Sequence, residues 1–95
     1  MAELSLRYRL HDRVAVRDEP FGALAYHYGN RKLVFLKNRR IVDVVRSLDA
    51  HPSLGAALEA NGVPEASRAN YLAAIDSLLR SDLLVVVDPV PVEVA

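Results

Sequence analysis

The 95-residue sequence predicts an α+β fold: a three-stranded antiparallel sheet, then three helices, then a short C-terminal strand. Two patterns carry that expectation. Between residues 13 and 37, apolar residues alternate with polar ones or cluster in short β-forming runs, divided by turn-forming residues. Between 39 and 81 they recur at helical spacing, behind residues that cap helices. Residues 1–88 are expected to form one domain, and 89–95 a flexible tail.

The first strand is expected over Arg13 to Glu19, where RVAVRDE alternates as a half-buried strand does. Pro20, Phe21 and Gly22 break it. Phe21 is expected to anchor this connection in the core, and Gly22 to permit a turn that a Cβ would obstruct. Ala23 to Tyr28 gives the second strand and Leu33 to Lys37 the third. Gly29-Asn30 between them suits a two-residue hairpin turn with positive φ, which sets Tyr26 opposite Leu33 and Leu24 opposite Phe35. That more apolar face, Leu24, Tyr26, Leu33 and Phe35, is assigned to the core. Asn38 caps a helix over Arg39 to Ala50, with Ile41, Val44, Val45 and Leu48 on one stripe. His51-Pro52 ends it, and Ser53 caps a short helix, Leu54 to Ala60, stopped by Asn61-Gly62. Pro64 opens a third helix that runs to about Ser81, with Leu72, Ile75 and Leu79 as its apolar stripe. Leu83 to Val87 is the last strand. A short helix ended by glycine, then a longer helix and a strand, outlines a winged helix-turn-helix.

Composition narrows the chemistry. The chain has no cysteine, which excludes disulfides, thiolate metal sites and a cysteine nucleophile. Its glycines are isolated at 22, 29, 55 and 62, so there is no phosphate-binding loop, and no G-x-S-x-G surrounds a serine. His11, His27 and His51 lack metal-ligand spacing, and His27 is expected on the strand surface. Asp18 and Glu19 are adjacent and point to opposite faces of a strand, so they cannot act as a catalytic pair. The expectation is a binding module, not an enzyme, with no cofactor. No apolar run reaches the roughly 18–20 residues of a membrane span, and no signal-peptide core follows Met1. A cytoplasmic location with no membrane partner is expected.

Twelve basic residues balance twelve acidic ones. The balance is uneven along the chain: residues 1–49 hold ten Lys/Arg and six Asp/Glu, and residues 50–95 hold two and six. The expected groove-reading helix has only Arg68, Asn70 and Arg80 against Glu65 and Asp76. Nucleic acid is therefore not the expected partner, and a winged-helix DNA-binding transcription regulator is the alternative reading.

In a meander ordered as in the sequence, the Leu33–Lys37 strand lies at an edge. Its lysines stand only at the ends, Lys32 and Lys37, so the edge is poorly guarded against an added strand. Alternate backbone groups along Leu33, Val34, Phe35, Leu36 and Lys37 are expected to bond an extended peptide, with the side chains of Val34 and Leu36 lining pockets. Lys32, Lys37 and Arg39, with Arg31 and Arg40, would attract acidic residues. Arg68, Tyr71, Leu72 and Ile75 of the third helix are expected to form the opposite wall. The edge could instead pair within a homodimer.

The segment RVAVRDEPFGALAYHYGNRKLVFLKNRRIVDVVRSL closely resembles the mycofactocin biosynthesis chaperone family. These are pyrroloquinoline-quinone D-like recognition elements for ribosomally synthesised, post-translationally modified peptides. The resemblance runs from about Tyr8 to Val87 and is most specific at Arg17 to Tyr26 (R-x-E-x-F-G-A-L-A-Y), followed by Leu33 to Leu36. It implies a non-catalytic chaperone that holds the Glu/Asp-rich leader of a precursor peptide. The chaperone would present the peptide's C-terminal core to a radical SAM maturase. The maturase would carry the iron–sulfur clusters and S-adenosylmethionine. It would act on the precursor's C-terminal Val-Tyr end, beginning with oxidative decarboxylation of the tyrosine.

Overall fold

The computed structural model describes residues 2–87, so the expected tail over 89–95 lies outside the described residues. Five strands and three helices follow one another as β1 (Tyr8–Leu10), β2 (Val14–Glu19), β3 (Gly22–His27), β4 (Leu33–Leu36), α1 (Arg39–Ser47), α2 (Leu54–Ala60), α3 (Arg68–Arg80) and β5 (Leu84–Val86). The α+β class, the three-stranded antiparallel sheet, the three helices and the C-terminal strand match the expectation. The main sheet is ordered β2-β3-β4, with β4 at an edge. Strand β1 has too short an apolar pattern to be legible in sequence, and it pairs antiparallel with β5.

Caps explain the helix starts. The Asn38 side chain accepts from the Ile41 amide at 2.8 Å, and the Ser53 hydroxyl accepts from the Ala56 amide at 3.1 Å. Helix α1 tightens into a 3-10 turn over Leu48–Ala50 before Pro52, and another 3-10 turn, Glu65–Ser67, leads into α3. Ile41, Val44, Val45 and Leu48 are all buried, as their spacing requires. On α3 the buried residues are Ile75 and Leu78, so the inward stripe is rotated toward Leu78 from the expected Leu72, Ile75 and Leu79.

The register is as expected, with Tyr26 opposite Leu33 and Leu24 opposite Phe35, but the assigned face is wrong. Ala23, Ala25, His27 and Leu36 face inward and are buried. Leu33 and Phe35 are 47% and 53% exposed, and Leu24 and Tyr26 are half-buried. Ala23 and Ala25 join Ile41, Val42, Val44 and Val45 of α1 in one core cluster, where their small side chains allow close packing. Phe21 is also not a core anchor: it is 45% exposed and packs edge-on against Phe35, with centroids 5.7 Å apart.

The β3–β4 hairpin differs in detail. Its loop is four residues, Tyr28 to Arg31, closed by the His27 amide donating to the Lys32 carbonyl at 2.9 Å. Arg31, with φ of 62°, is the left-handed residue, not Gly29 or Asn30. His27 is buried rather than on the surface, and its Nδ1 accepts from the Gly29 and Asn30 amides at 2.9 and 3.1 Å. A Cβ on Gly29 would come within 2.7 Å of the His27 ring, so glycine there permits this close approach.

Candidate functional site

Strand β4 positions the site through its two-residue alternation. The His27–Lys32 bond makes that opposed pair a hydrogen-bonded one. The alternation of an antiparallel ladder then turns the backbone groups of Val34 and Leu36 toward β3, opposite Ala25 and Ala23. The N–H and C=O groups of Leu33 and Phe35 point the other way, to the open edge. The side chains of Val34 and Leu36 lie on the inner face, toward α3.

The two edges of the sheet are not equivalent. At β2, Arg46 of α1 reaches across and donates to the Val16 carbonyl at 3.2 Å and to Asp18 at 2.8 Å. Arg39 also donates to Asp18, at 3.0 Å. These two guanidiniums hold the Asp18 carboxyl below the usual carboxylate range, Arg39 first and then Arg46. At the β2 edge, therefore, one outward carbonyl, that of Val16, is already engaged by a side chain from α1.

Between β4 and α3 runs a groove of about 270 Å³. Its strand wall is Val34, Phe35, Leu36 and Lys37. Its helix wall comes from Asn70, Tyr71, Ala74, Ser77 and Leu78, with Asn38 and Ile41 at one end. Tyr71, Ala74 and Leu78 fall at i, i+3 and i+7 on α3, so one helical row faces the strand.

Of the residues expected at the site, Val34, Phe35, Leu36, Lys37 and Tyr71 come together in this groove. Lys32 and Leu33 sit toward the hairpin end of β4, both exposed. Arg39 is at the start of α1, ion-paired with Asp18. Leu72 is half-buried against the core, and Ile75 is fully buried and offers no surface. Arg68 is half-buried and does not line the groove. Asn38, Ile41, Asn70, Ala74, Ser77 and Leu78 were not anticipated. The only sequence signal for Ala74 and Leu78 is their helical spacing from Tyr71, and Ile75, at i+4, shares that spacing. Among the described residues no cluster of three or more His, Asp or Glu could hold a metal ion. No described helix is long and apolar enough to cross a membrane.

Comparison with known proteins places the chain in a family. The model of the peptide chaperone MftB family matches residues 7–85. A protein named peptide chaperone MftB from Mycolicibacterium smegmatis is 55% identical over 82 residues, covering 86% of this chain and 80% of that protein. Proteins of the same name from Mycobacterium ulcerans and Mycobacterium tuberculosis are 56% and 50% identical over 78 residues, covering 82% of this chain and 72% of each. No solved structure matches. Peptide chaperone is not a catalytic designation. The match spans both strands and helices of the groove, and the chain belongs to the peptide chaperone MftB family, the mycofactocin biosynthesis chaperones its sequence resembles.

Proposed function

We propose that this chain binds the leader of a precursor peptide by adding it as a strand to the open edge of β4 and delivers it to a radical SAM maturase. The carrying observation is the free edge of β4 lying beside an apolar groove, while at the β2 edge Arg46 already engages the Val16 carbonyl. Main-chain bonds to Leu33 and Phe35, and onward to Lys37, would hold the peptide, and alternate side chains would enter the groove between Val34, Leu36 and Tyr71. The three helices act as a winged-helix-like scaffold that sets α3 at groove distance from β4. In this role the chain itself is not an enzyme and works in the cytoplasm. The relatives' name, peptide chaperone, supports a peptide partner. A DNA-reading role gains less support, because Arg80 of α3 is drawn to Asp76 at 3.4 Å.

The decisive variant is Phe35→Pro. Proline is tolerated on an edge strand where its missing N–H would face solvent. It removes an outward donor and leaves the β3–β4 ladder intact. Calorimetric titration with the precursor leader should show binding at least tenfold weaker, while Phe35→Ala, whose side chain lies on the outer face, should lose less than about 0.5 kcal/mol. A folded Phe35→Pro protein with normal affinity would overturn strand addition.

A further inference from the structure

The outer face of the main sheet carries an apolar surface that no part of the described chain covers. Leu24, Tyr26, Leu33 and Phe35 share it by register, and Phe21 and Tyr28 join it through ring contacts with Phe35 and Tyr26. Phe21 and Tyr28 are 45% and 63% exposed. Two edge-to-face pairs, Phe21 with Phe35 and Tyr26 with Tyr28, give it a fixed relief, with centroids 5.7 and 5.0 Å apart. Arg13, Arg17 and Arg31 stand at its rim, all exposed. Glu19 is the acid among them and is bonded to Arg17 at 2.7 Å. No ion pair engages Arg13 or Arg31 among the described residues.

We propose that this face docks a folded protein that presents an apolar patch rimmed by carboxylates. Three observations choose that occupant. The backbone of a sheet face is already paired within the sheet, so an extended peptide lying on it would leave its own N–H and C=O groups unbonded. A second copy of this chain would set the arginine rim against an identical rim in a two-fold dimer, which like charges oppose. Three strands of about six residues make a patch on the order of 300 Å². That is well short of the roughly 800 Å² per partner of a stable interface, so the charged rim must be engaged too. The face adjoins the open edge of β4, sharing Leu33 and Phe35 with it, but it lies on the side of the sheet opposite the inward Val34 and Leu36 side chains that line the groove.

The inference rests on the delivery reading for the identity of its probe, the purified radical SAM maturase. Binding of the maturase to the wild type is compared with Phe21→Ser/Tyr28→Ser and with Arg13→Glu/Arg17→Glu. Circular dichroism and leader affinity within twofold of wild type certify the fold of each variant. Both variants should bind the maturase at least tenfold more weakly, and the charge-reversed one should recover part of the loss at 0.5 M salt on the maturase side of the comparison. A wild-type complex that neither folded variant weakens overturns the docking face alone. Absence of any wild-type complex overturns the delivery reading and this assignment with it. Two further outcomes overturn it. One is a wild-type dimer that Phe21→Ser/Tyr28→Ser converts to monomer. The other is a maturase-independent affinity for phosphatidylglycerol vesicles that the same variant abolishes.

Discussion

At Gly22 the backbone adopts φ of 150°, and a Cβ there would run into the Leu36 carbonyl and lie 3.1 Å from the Asn38 amide. This glycine lets the β2–β3 turn press against the end of β4, where the groove begins. Gly22→Ala should therefore cost roughly 2 kcal/mol or more in chemical denaturation. Its neighbour behaves oppositely. Phe21 is exposed, so Phe21→Ala should cost less than about 1 kcal/mol, far below the value for a buried phenylalanine. Asp18 makes a pH-dependent contribution. Its carboxyl is held low by Arg39 and Arg46, so its folded pKa lies below its unfolded one. The stabilisation is complete above the ordinary carboxylate pKa and is lost as pH falls through the lowered folded value. An NMR titration should place the Asp18 midpoint below the usual aspartate range. Wild type should lose stability in acid relative to Asp18→Asn, in which that ionisation is absent.

Strand β4 has two kinds of position, and a proline scan separates them. Val34 donates its N–H to the β3 ladder, opposite Ala25, so Val34→Pro removes an internal bond and wedges a ring between strands. It should destabilise the domain by about 3 kcal/mol in denaturant melts, whatever its effect on peptide. Phe35→Pro should leave stability much closer to wild type and act on binding. Equal destabilisation by both would mean that the register-derived alternation is wrong. Much of this element was legible: the β-forming run, its register against β3 and its place at the edge all follow from residues 23–37. The inward face was not. Local pattern offered Leu24, Tyr26, Leu33 and Phe35 as the larger apolar set, and apolar size ordinarily marks the core side.

Across the whole molecule, the basic residues gather near one end of the groove. Lys37 and Arg40 are exposed and have no ion pair among the described residues, whereas Arg39 is committed to Asp18. Lys37→Glu/Arg40→Glu should slow association of an acidic leader severalfold at low salt in stopped-flow measurements. The difference should shrink as salt rises, and dissociation should change less. Reversing Arg39 would be a poorer test, because its new carboxylate would face Asp18. The sequence by itself determined the class of the fold, the caps at Asn38 and Ser53, the helix stripe of α1, the hairpin register and the family, since each is encoded by residues close together along the chain. Only the tertiary structure decided which sheet face is buried, which row of α3 faces β4, that Arg46 reaches the Val16 carbonyl at the β2 edge, and that β1 pairs with β5. These choices depend on how closely the helices approach the sheet and on contacts between residues far apart in sequence. Ala23 and Ala25, together with the larger His27 and Leu36, took the inner face because that side packs against α1 in the core cluster.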